Sequence, residues 1–210
     1  MKNTKIIIFF SIIIFICYLA LLYTNVQSTH TLTSNHMGTI ITHQIFGNKN
    51  TPQIIQKVEN KISEIENLMT CKKESGDIYN INKEAGKNFV KINDYTMEVL
   101  KKSLSYSEIS NGIFDVTIGP LTSLWNVTAQ NPKVPSSSEI TSKLDLISYK
   151  DIILNIDENM VKLNRINQKI DVGAIAKGYA GDIARKIYTQ NGINSGILNL
   201  GGNVIVIGTR

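Results

Sequence analysis

Hydrophobic and polar positions recur along this chain with two different periods, which separates strands from helices. Residues 39–46 are rich in β-branched side chains and contain no breaker, which predicts a strand. Thr51 and Pro52 then supply an N-cap and a first-turn proline for a helix. Apolar residues follow at helical spacing at Ile54, Ile55, Val58, Ile62, Ile65, Leu68 and Met69. This pattern predicts an amphipathic helix of about five turns whose apolar side lies in the core.

The rest of the chain interleaves helices and strands. A second helix is predicted to begin at Asp94, with Met97, Leu100 and Leu104 on its buried side. Residues 130–138 contain two prolines and three serines, which predicts a loop. The remaining strands are predicted at 152–156 and 160–163, joined as a hairpin by 157–159, and at 193–198 and 203–208. We therefore expect a single mixed α+β domain around one core.

The first 28 residues have the pattern of a signal peptide or a membrane anchor. Lys2 and Lys5 precede an apolar run from Ile6 to Tyr23 that only Ser11 interrupts. A run of about 18 residues lies between a long signal peptide and a minimal transmembrane helix. We expect export, with attachment to the inner membrane on the periplasmic side of a bacterium.

The type of anchor stays open. Cys17 suggests a lipoprotein, but Ile16 before it is a poor match to the small residue that such a site requires. Val26 to Ser28 is an alternative cleavage point. Removal of the first 28 residues leaves only Cys71, so no internal disulfide is expected.

Charge and histidine content narrow the function classes. The net charge is +5, and without Lys2 and Lys5 it is +3, too small and too scattered to indicate nucleic-acid binding. The histidines His30, His36 and His43 fall in a 14-residue window, but His30 lies in a polar stretch, so a histidine metal site is not favoured.

A glycine-rich segment from Asp171 to Asp182, followed by a second glycine turn at Gly201 and Gly202, is the main candidate for chemistry. Asp171 follows an apolar, strand-like segment, and a helix is predicted from about Ala174 to Tyr188. A helix N-terminus offers unpaired N–H groups and a positive dipole end to an anion. Lys177 adds a positive charge one turn into that helix.

Two interpretations of this segment stand side by side. It matches neither the Walker A loop nor the Gly-x-Gly-x-x-Gly dinucleotide pattern. It is either a site for a phosphorylated ligand or an ordinary strand–turn–helix with a buried glycine and a solvated lysine.

Four motifs, in the same order along the chain, resemble those of one known protein family. Residues 171–182 resemble its Asp-Leu-Gly-(Gly/Ala)-Ile-Ala-Lys-Gly-Tyr-Ala-x-Asp block. Residues 37–39 resemble its Met-Gly-Thr strand, residues 111–125 its Gly-x-Phe-Asp-x-Thr-x-Gly-Pro-Leu-x-x-Leu-Trp block, and residues 199–202 its Asn-Leu-Gly-Gly turn. The chain thus resembles the ApbE-type FAD:protein FMN transferases, which implies that residues 29–210 form the N-terminal portion of a flavin transferase domain with the mixed α+β, T-fold-like ApbE architecture.

The implied reaction is Mg²⁺-dependent transfer of FMN from FAD to a Thr or Ser hydroxyl of an acceptor flavoprotein, with release of AMP. The family's usual acceptors are exported subunits of redox-driven ion pumps, which agrees with a leader on this chain. Three alternatives are kept: Mg²⁺-dependent hydrolysis of FAD by a pyrophosphatase, a non-catalytic FAD-binding exported lipoprotein, and an exported structural domain without a ligand.

The resemblance also implies site residues. The residues carried over as FAD contacts are Met37, Ile113, Phe114, Asp115, Asp171 and Lys177. Lys177 is also the predicted catalytic residue, and the backbone carbonyl of Ala174 is a predicted Mg²⁺ ligand, which suits a hard cation. Against these roles, Asp115 is alternatively a turn residue that bonds local backbone. Met37 is alternatively a core residue.

Two departures from the family pattern qualify the resemblance. Gly76 and Asp77 stand where the family's Ser-Glu-Leu-Ser-x-Leu-Asn block has Ser and Glu. The family's later His and Asp-x-x-x-Thr element, which completes the Mg²⁺ site, is not in this sequence, which predicts a fragment, a truncated product or a protein that has lost the activity. We therefore expect residues 29–210 alone to bind Mg²⁺ weakly and to transfer little flavin.

Overall fold

The computed structural model describes residues 10–18, 28–127 and 130–208. The strands are β1 (Ser28–His36), β2 (Thr39–Gly47), β3 (Val90–Lys91), β4 (Ile152–Asn155), β5 (Met160–Leu163), β6 (Ser195–Leu200) and β7 (Asn203–Ile207). The helices that follow residue 28 are α1 (Thr51–Met69), α2 (Asp77–Lys83), α3 (Asp94–Ile109), α4 (Gly119–Trp125), α5 (Ser137–Leu144) and α6 (Gly173–Gln190), with a short 3₁₀ helix at Tyr149–Asp151. The predicted mixed α+β class is confirmed.

The chain divides into two compact units. Unit 1 comprises Met1–Lys61 and Gly181–Arg210, and unit 2 comprises Ile62–Ala180. Both boundaries fall inside helices, the first within α1 and the second within α6.

Unit 1 contains an antiparallel sheet in the order β1-β2-β6-β7. Alternate residues of β2, namely Ile41, His43 and Ile45, are completely buried, as the period of a half-buried strand requires. Leu198 and Leu200 of β6 are buried in the same way. The sheet thus has one face in the core of the unit and one exposed face, on which polar residues alternate with the exposed apolar side chains of Ile40, Ile197, Val204 and Val206.

Strand β1 was not predicted, because its sequence looks like a polar stretch. It pairs with β2 over its whole length, from Ser28 opposite Gly47 to His36 opposite Thr39. Its residues are exposed or half-buried, so no apolar alternation marks it. Three β-branched threonines were the available signal of a strand.

Unit 2 contains the smaller sheet, in the order β3-β5-β4. The predicted hairpin is confirmed as β4 and β5, which pair antiparallel. The core of unit 2 includes Ile78 and Ile81 of α2, Val99 and Leu100 of α3, and Val161 and Leu163 of β5. Helix α3 begins at Asp94 as predicted, capped by Asn93, whose side chain accepts a hydrogen bond from the N–H of Tyr95.

Several predicted boundaries are wrong for local reasons. Thr51 is already helical, and its buried Oγ1 has no hydrogen-bond partner among the described residues, so it does not cap α1. Helix α5 begins inside the predicted loop, because Ser136 and Glu139 form a capping box. Strand β6 starts at Ser195 rather than residue 193, since the N–H of Ile193 closes the end of α6 on the carbonyl of Tyr188 at 3.0 Å.

The segment that leads to Asp171 is less regular than predicted. Instead of a strand it makes one isolated parallel bridge, between Ile118 and Lys169. Helix α6 then runs from Gly173, one residue before the predicted start, to Gln190.

Part of the N-terminal prediction falls on residues that are described. Residues 10–18, which include Cys17, are helical and exposed. Among the described residues, no helix has both the length and the apolar character needed to cross a membrane. Lys2, Lys5 and the cleavage point before Ser28 lie outside the described ranges, as do Thr209 and Arg210.

Candidate functional site

The site in unit 2 is built around Asp171, which leads into α6. Its Oδ1 accepts a hydrogen bond from the N–H of Gly173 at 2.9 Å, an Asx turn. Its Oδ2 accepts from Oγ1 of Thr122 on α4 at 2.9 Å. Its own N–H donates to the carbonyl of Val116 at 2.8 Å, so Asp171 joins the start of α6 to α4 and to the turn before it.

The start of α6 is less open to an anion than predicted. The N–H groups of Ile175 and Ala176 donate to the carbonyl of Val172, and that of Gly173 is taken by Asp171. The N–H of Ala174 is the first-turn donor without a partner among the described residues. An anionic ligand at this end of α6 therefore has one free backbone donor and lies beside the Asp171 carboxylate. Both interpretations of this segment, a site for a phosphorylated ligand and an ordinary strand–turn–helix, therefore stay predictions.

Lys177 lies one turn into α6 and is half-buried. Its Nζ is 3.4 Å from the carbonyl oxygen of Gly173, a long contact that costs little to break. A Cβ at position 173 would lie 3.1 Å from Oδ1 of Asp171, so a side chain there requires this carboxylate to shift by a few tenths of an ångström. The first turn of α6 thus brings together three predicted site residues, Asp171, Ala174 and Lys177.

A pocket of about 330 Å³ lies beside Asp171. Its polar lining comprises two lysines, three hydroxyls, one amide and one carboxylate, contributed by Lys83, Lys169, Tyr79, Thr122, Ser123, Asn82 and Asp171. The hydroxyls and the amide already donate hydrogen bonds within the protein, and both oxygens of Asp171 already accept them, so the two lysines are the cations that this lining offers to an anion. This balance suits a phosphate or another anionic group.

Asn82 holds one wall of this pocket in place. Its Nδ2 donates to the carbonyl of Ile170 at 2.9 Å, and its Oδ1 accepts from the N–H of Ile170 at 2.6 Å. Gly119 allows the start of α4 to approach the same segment, because a Cβ there would lie 2.6 Å from the carbonyl oxygen of Lys169. The segment from Lys169 to Asp171 is therefore clamped between α2 and α4.

The sequence motifs did not identify the lysines and hydroxyls of this pocket as site residues. Asn82 had a signal, because it matches the closing Asn of the family block that otherwise fits poorly at Gly76 and Asp77. Lys83 follows it directly. Lys169 had no motif, and it reaches the pocket through long-range contacts, namely its bridge with Ile118 and the hydrogen bond from the N–H of Gly119 to its carbonyl at 3.1 Å.

The carboxylate of Asp115 accepts several hydrogen bonds that hold the turn before α4. Its Oδ1 accepts from the N–H and Oγ1 of Thr117, at 2.8 and 2.7 Å, and its Oδ2 accepts from the N–H of Tyr149 at 2.8 Å. Thr117 Oγ1 in turn accepts from the N–H of Ser148 at 2.8 Å. These contacts match the alternative of a turn residue that bonds backbone, and they leave the flavin contact of Asp115 a prediction.

Ile113 and Phe114 present apolar surface next to Asp115. Ile113 is 91% exposed, and Phe114 is half-buried with its ring edge-to-face against Tyr106 at 6.3 Å between centroids. These are the side chains of the turn that are open to a flat ring.

Met37 lies in unit 1 and is not one of the buried core residues that its alternative role required. It is half-buried in the two-residue turn between β1 and β2. Its φ of 52° is in the left-handed region, which disfavours a residue other than glycine.

The described residues do not form a complete Mg²⁺ site. They contain no group of three or more His, Cys, Asp or Glu side chains arranged to hold a metal ion. Both oxygens of Asp171 already accept hydrogen bonds. The Ala174 carbonyl belongs to the first turn of α6, so it offers one neutral ligand where Mg²⁺ takes about six.

Comparison with known proteins places this chain in one family. The model of the ApbE family matches residues 37–210. An FAD:protein FMN transferase of Klebsiella pneumoniae is 29% identical over 155 residues, which cover 74% of this chain and 49% of that protein. One of Treponema pallidum is 21% identical over 182 residues, 83% of this chain and 50% of that protein.

Solved structures of ApbE proteins have a similar fold. The ApbE protein of Thermotoga maritima has a TM-score of 0.80 and 28% identity, covering 87% of this chain and 60% of that one. The flavin transferase ApbE of Vibrio cholerae has a TM-score of 0.80 at 18% identity, covering 88% and 61%. The fold is thus the mixed α+β fold of the flavin transferase class. The chain belongs to the ApbE family, and it spans about half the length of the curated relatives it matches.

Proposed function

We propose that this protein takes part in Mg²⁺-dependent transfer of FMN from FAD to a Thr or Ser hydroxyl of an acceptor flavoprotein, with release of AMP. The observation that carries the proposal is the pocket beside Asp171. Lys83, Lys169, Thr122 and Ser123 line this pocket, and all of them lie within the residues that match the ApbE family. The relatives named as FAD:protein FMN transferases support the same reaction.

In the proposed reaction, the acceptor hydroxyl oxygen attacks the flavin-side phosphorus of FAD. A new phosphorus–oxygen bond forms to the acceptor, and the bond from that phosphorus to the bridging oxygen breaks. AMP leaves with the electron pair, and the hydroxyl proton passes to water. Negative charge builds on the phosphoryl and leaving oxygens, so the protein contributes chiefly positioning and positive charge.

Each proposed site residue has a task that its contacts allow. Lys177 exchanges its 3.4 Å contact with the Gly173 carbonyl for a phosphate oxygen. Lys83 and Lys169 add positive charge from the pocket wall. Asp171 orients the start of α6 and α4 through its two hydrogen bonds.

The flavin ring and the metal complete the proposal. Exposed Ile113 and the ring of Phe114 offer apolar surface to the isoalloxazine, with Asp115 fixing their turn. Met37 is a further proposed FAD contact. Mg²⁺ neutralises pyrophosphate charge when bound, and the Ala174 carbonyl is proposed as one of its ligands.

We also propose that the protein acts outside the cytoplasm, attached to the inner membrane through residues 1–28. The support is the sequence pattern of two lysines before a long apolar run. Exported flavoprotein subunits of redox-driven ion pumps are the proposed acceptors.

The test is incubation of the full chain with FAD, Mg²⁺ and a threonine-containing acceptor peptide. A fluorescent acceptor band on a denaturing gel supports transfer, and FMN that appears without acceptor supports the pyrophosphatase alternative. FAD that binds unchanged supports a non-catalytic FAD-binding protein. If Lys83→Gln and Lys169→Gln both reduce labelling of the acceptor, and the exposed control Lys150→Gln does not, the reaction is assigned to this pocket.

A further inference from the structure

Unit 1 contains a buried chain of polar groups that the proposed reaction does not use. Nδ1 of His43 lies 2.6 Å from the hydroxyl of Tyr188, and its Nε2 lies 2.7 Å from Oε1 of Glu59. His43 and Tyr188 are 0% exposed, and Glu59 is 6% exposed. The three residues come from β2, α6 and α1, so their bonds join three elements of the unit.

The two hydrogen bonds that link Tyr188, His43 and Glu59 run in one direction. Burial lowers the pKa of His43 below its ordinary value, against the hydrogen bond and charge of Glu59, which raise it. Burial first, and then the charge of Glu59, raises the pKa of Tyr188. Tyr188 therefore donates its O–H to Nδ1 of His43, and the neutral imidazole donates Nε2–H to Glu59.

His36 extends the chain to the β1–β2 turn. Its Nε2 lies 3.4 Å from Oε2 of Glu59, and its side chain is 19% exposed. His36 is the last residue of β1, directly before Met37. Glu59 is thus contacted by two histidines, one from within the sheet and one at its end.

The turn that follows His36 is conformationally costly. Met37 and Gly38 have φ values of 52° and 70°, both in the left-handed region. Two-residue hairpin turns of this kind prefer Asn, Asp or Gly at the first position, and a methionine is disfavoured there. Such a turn persists when its surroundings hold it, and the contact of His36 with Glu59 is adjacent to it.

We propose that His36, Glu59, His43 and Tyr188 form a proton-sensitive positioning network that holds the Met37–Gly38 turn and releases it on acidification. The consequence for FAD, that acid weakens the contact of Met37 with the flavin, rests on the proposed function. The network itself does not.

The sign of the pH effect follows from burial. The titratable groups that face His43 are Glu59 from α1, Tyr188 from α6 and His36 from β1. The closed network holds His43 neutral, whereas an opened and hydrated imidazole takes up a proton at its ordinary value of about 6.5. The closed state is therefore stable above that pH and is lost as the pH falls below it.

The test is amide hydrogen exchange of residues 33–43 in the full chain between about pH 8 and pH 5, corrected for intrinsic exchange. One proton taken up on opening predicts that the population of the open turn rises up to about tenfold for each pH unit below 6.5. His36→Gln is expected to raise exchange of the turn at every pH. The matched control His30→Gln, on the same strand but with its side chain hydrogen-bonded to the exposed Ser28, is expected to leave it unchanged.

Two further variants keep the test decisive. His43→Gln should remove the pH dependence, and Tyr188→Phe, which deletes only the buried hydroxyl, should raise exchange with less risk of unfolding. A turn whose corrected exchange is independent of pH, or a His36→Gln protein that exchanges like His30→Gln, would overturn the network.

FAD affinity measured at the same pH values separates this proposal from the proposed function. If no FAD binds at any pH, the proposed function fails while the exchange data still judge the network. If FAD binds equally at pH 8 and pH 5 although the turn opens, the link from the turn to the flavin is overturned. Weaker binding at pH 5, with the pH dependence abolished by His43→Gln, is the expected result.

Discussion

Carboxylates in the two units are used in different ways. In unit 1, Glu59 is 6% exposed and is held by two imidazoles, so its surroundings are closed to water. In unit 2, Asp171 also accepts two hydrogen bonds, but it lines a pocket that lysines and hydroxyls share. The first arrangement encloses its hydrogen bonds inside the fold, and the second leaves two lysines in the wall of an open pocket. Burial, rather than residue type, separates the two roles.

The largest effect on unit 2 is expected from Asp115→Ala. The substitution leaves three donors, two of them backbone N–H groups, without the carboxylate that joins residues 115–117 to Tyr149. Hydrogen bonds to a charged group contribute about 1.5–3 kcal/mol each, so we expect a loss of about 3 kcal/mol or more in the free energy of unfolding. Urea denaturation followed by Trp125 fluorescence measures it. Asp157→Ala, in the exposed β4–β5 turn, is the control and should change stability by less than about 0.5 kcal/mol.

A smaller loss is expected from Asn82→Ala, which removes both hydrogen bonds to the backbone of Ile170. The buried N–H and carbonyl of Ile170 lose their partner, which costs about 1–3 kcal/mol by the same denaturation measurement. Asn88→Ala is the matched control, because its side chain donates to Glu84 at the surface. Equal stability of the two variants would show that the clamp on the pocket wall is unimportant.

The free energy of unfolding should depend on pH because of the buried His43 in the network of unit 1. Because the pKa of folded His43 is lowered, stability is full above its ordinary value of about 6.5 and falls as the pH drops below it. The slope is at most about 1.4 kcal/mol per pH unit for one proton. Thermal melts by circular dichroism should show this slope in the wild type and a smaller one in His43→Gln. A slope that His43→Gln leaves unchanged would assign the proton to another group.

Sequence periodicity predicted the elements that bury an apolar face. Helix α1 and the hairpin of β4 and β5 were predicted from spacing and turn residues, because burial there follows a regular period. Strand β1 was missed, since none of its residues is fully buried and pairing with β2 alone defines it.

Motif matching located Asp171 and Lys177 but not their contacts. Thr122 lies 49 residues from Asp171 in sequence, and Tyr149 lies 34 residues from Asp115. Partners so distant depend on how the chain folds back, which no local pattern encodes. The same holds for His43 and Tyr188, 145 residues apart.

The most direct test of the central claim is titration calorimetry of FAD against the full chain and three single variants. Lys177→Gln and Lys169→Gln each remove one positive charge from the proposed site, and each should weaken FAD binding by about 1.5–3 kcal/mol, roughly tenfold to more than a hundredfold. Lys186→Gln, on the last turns of the same helix α6 and exposed, should bind FAD like the wild type. If all three variants bound FAD equally tightly, the pocket beside Asp171 would not be the FAD site.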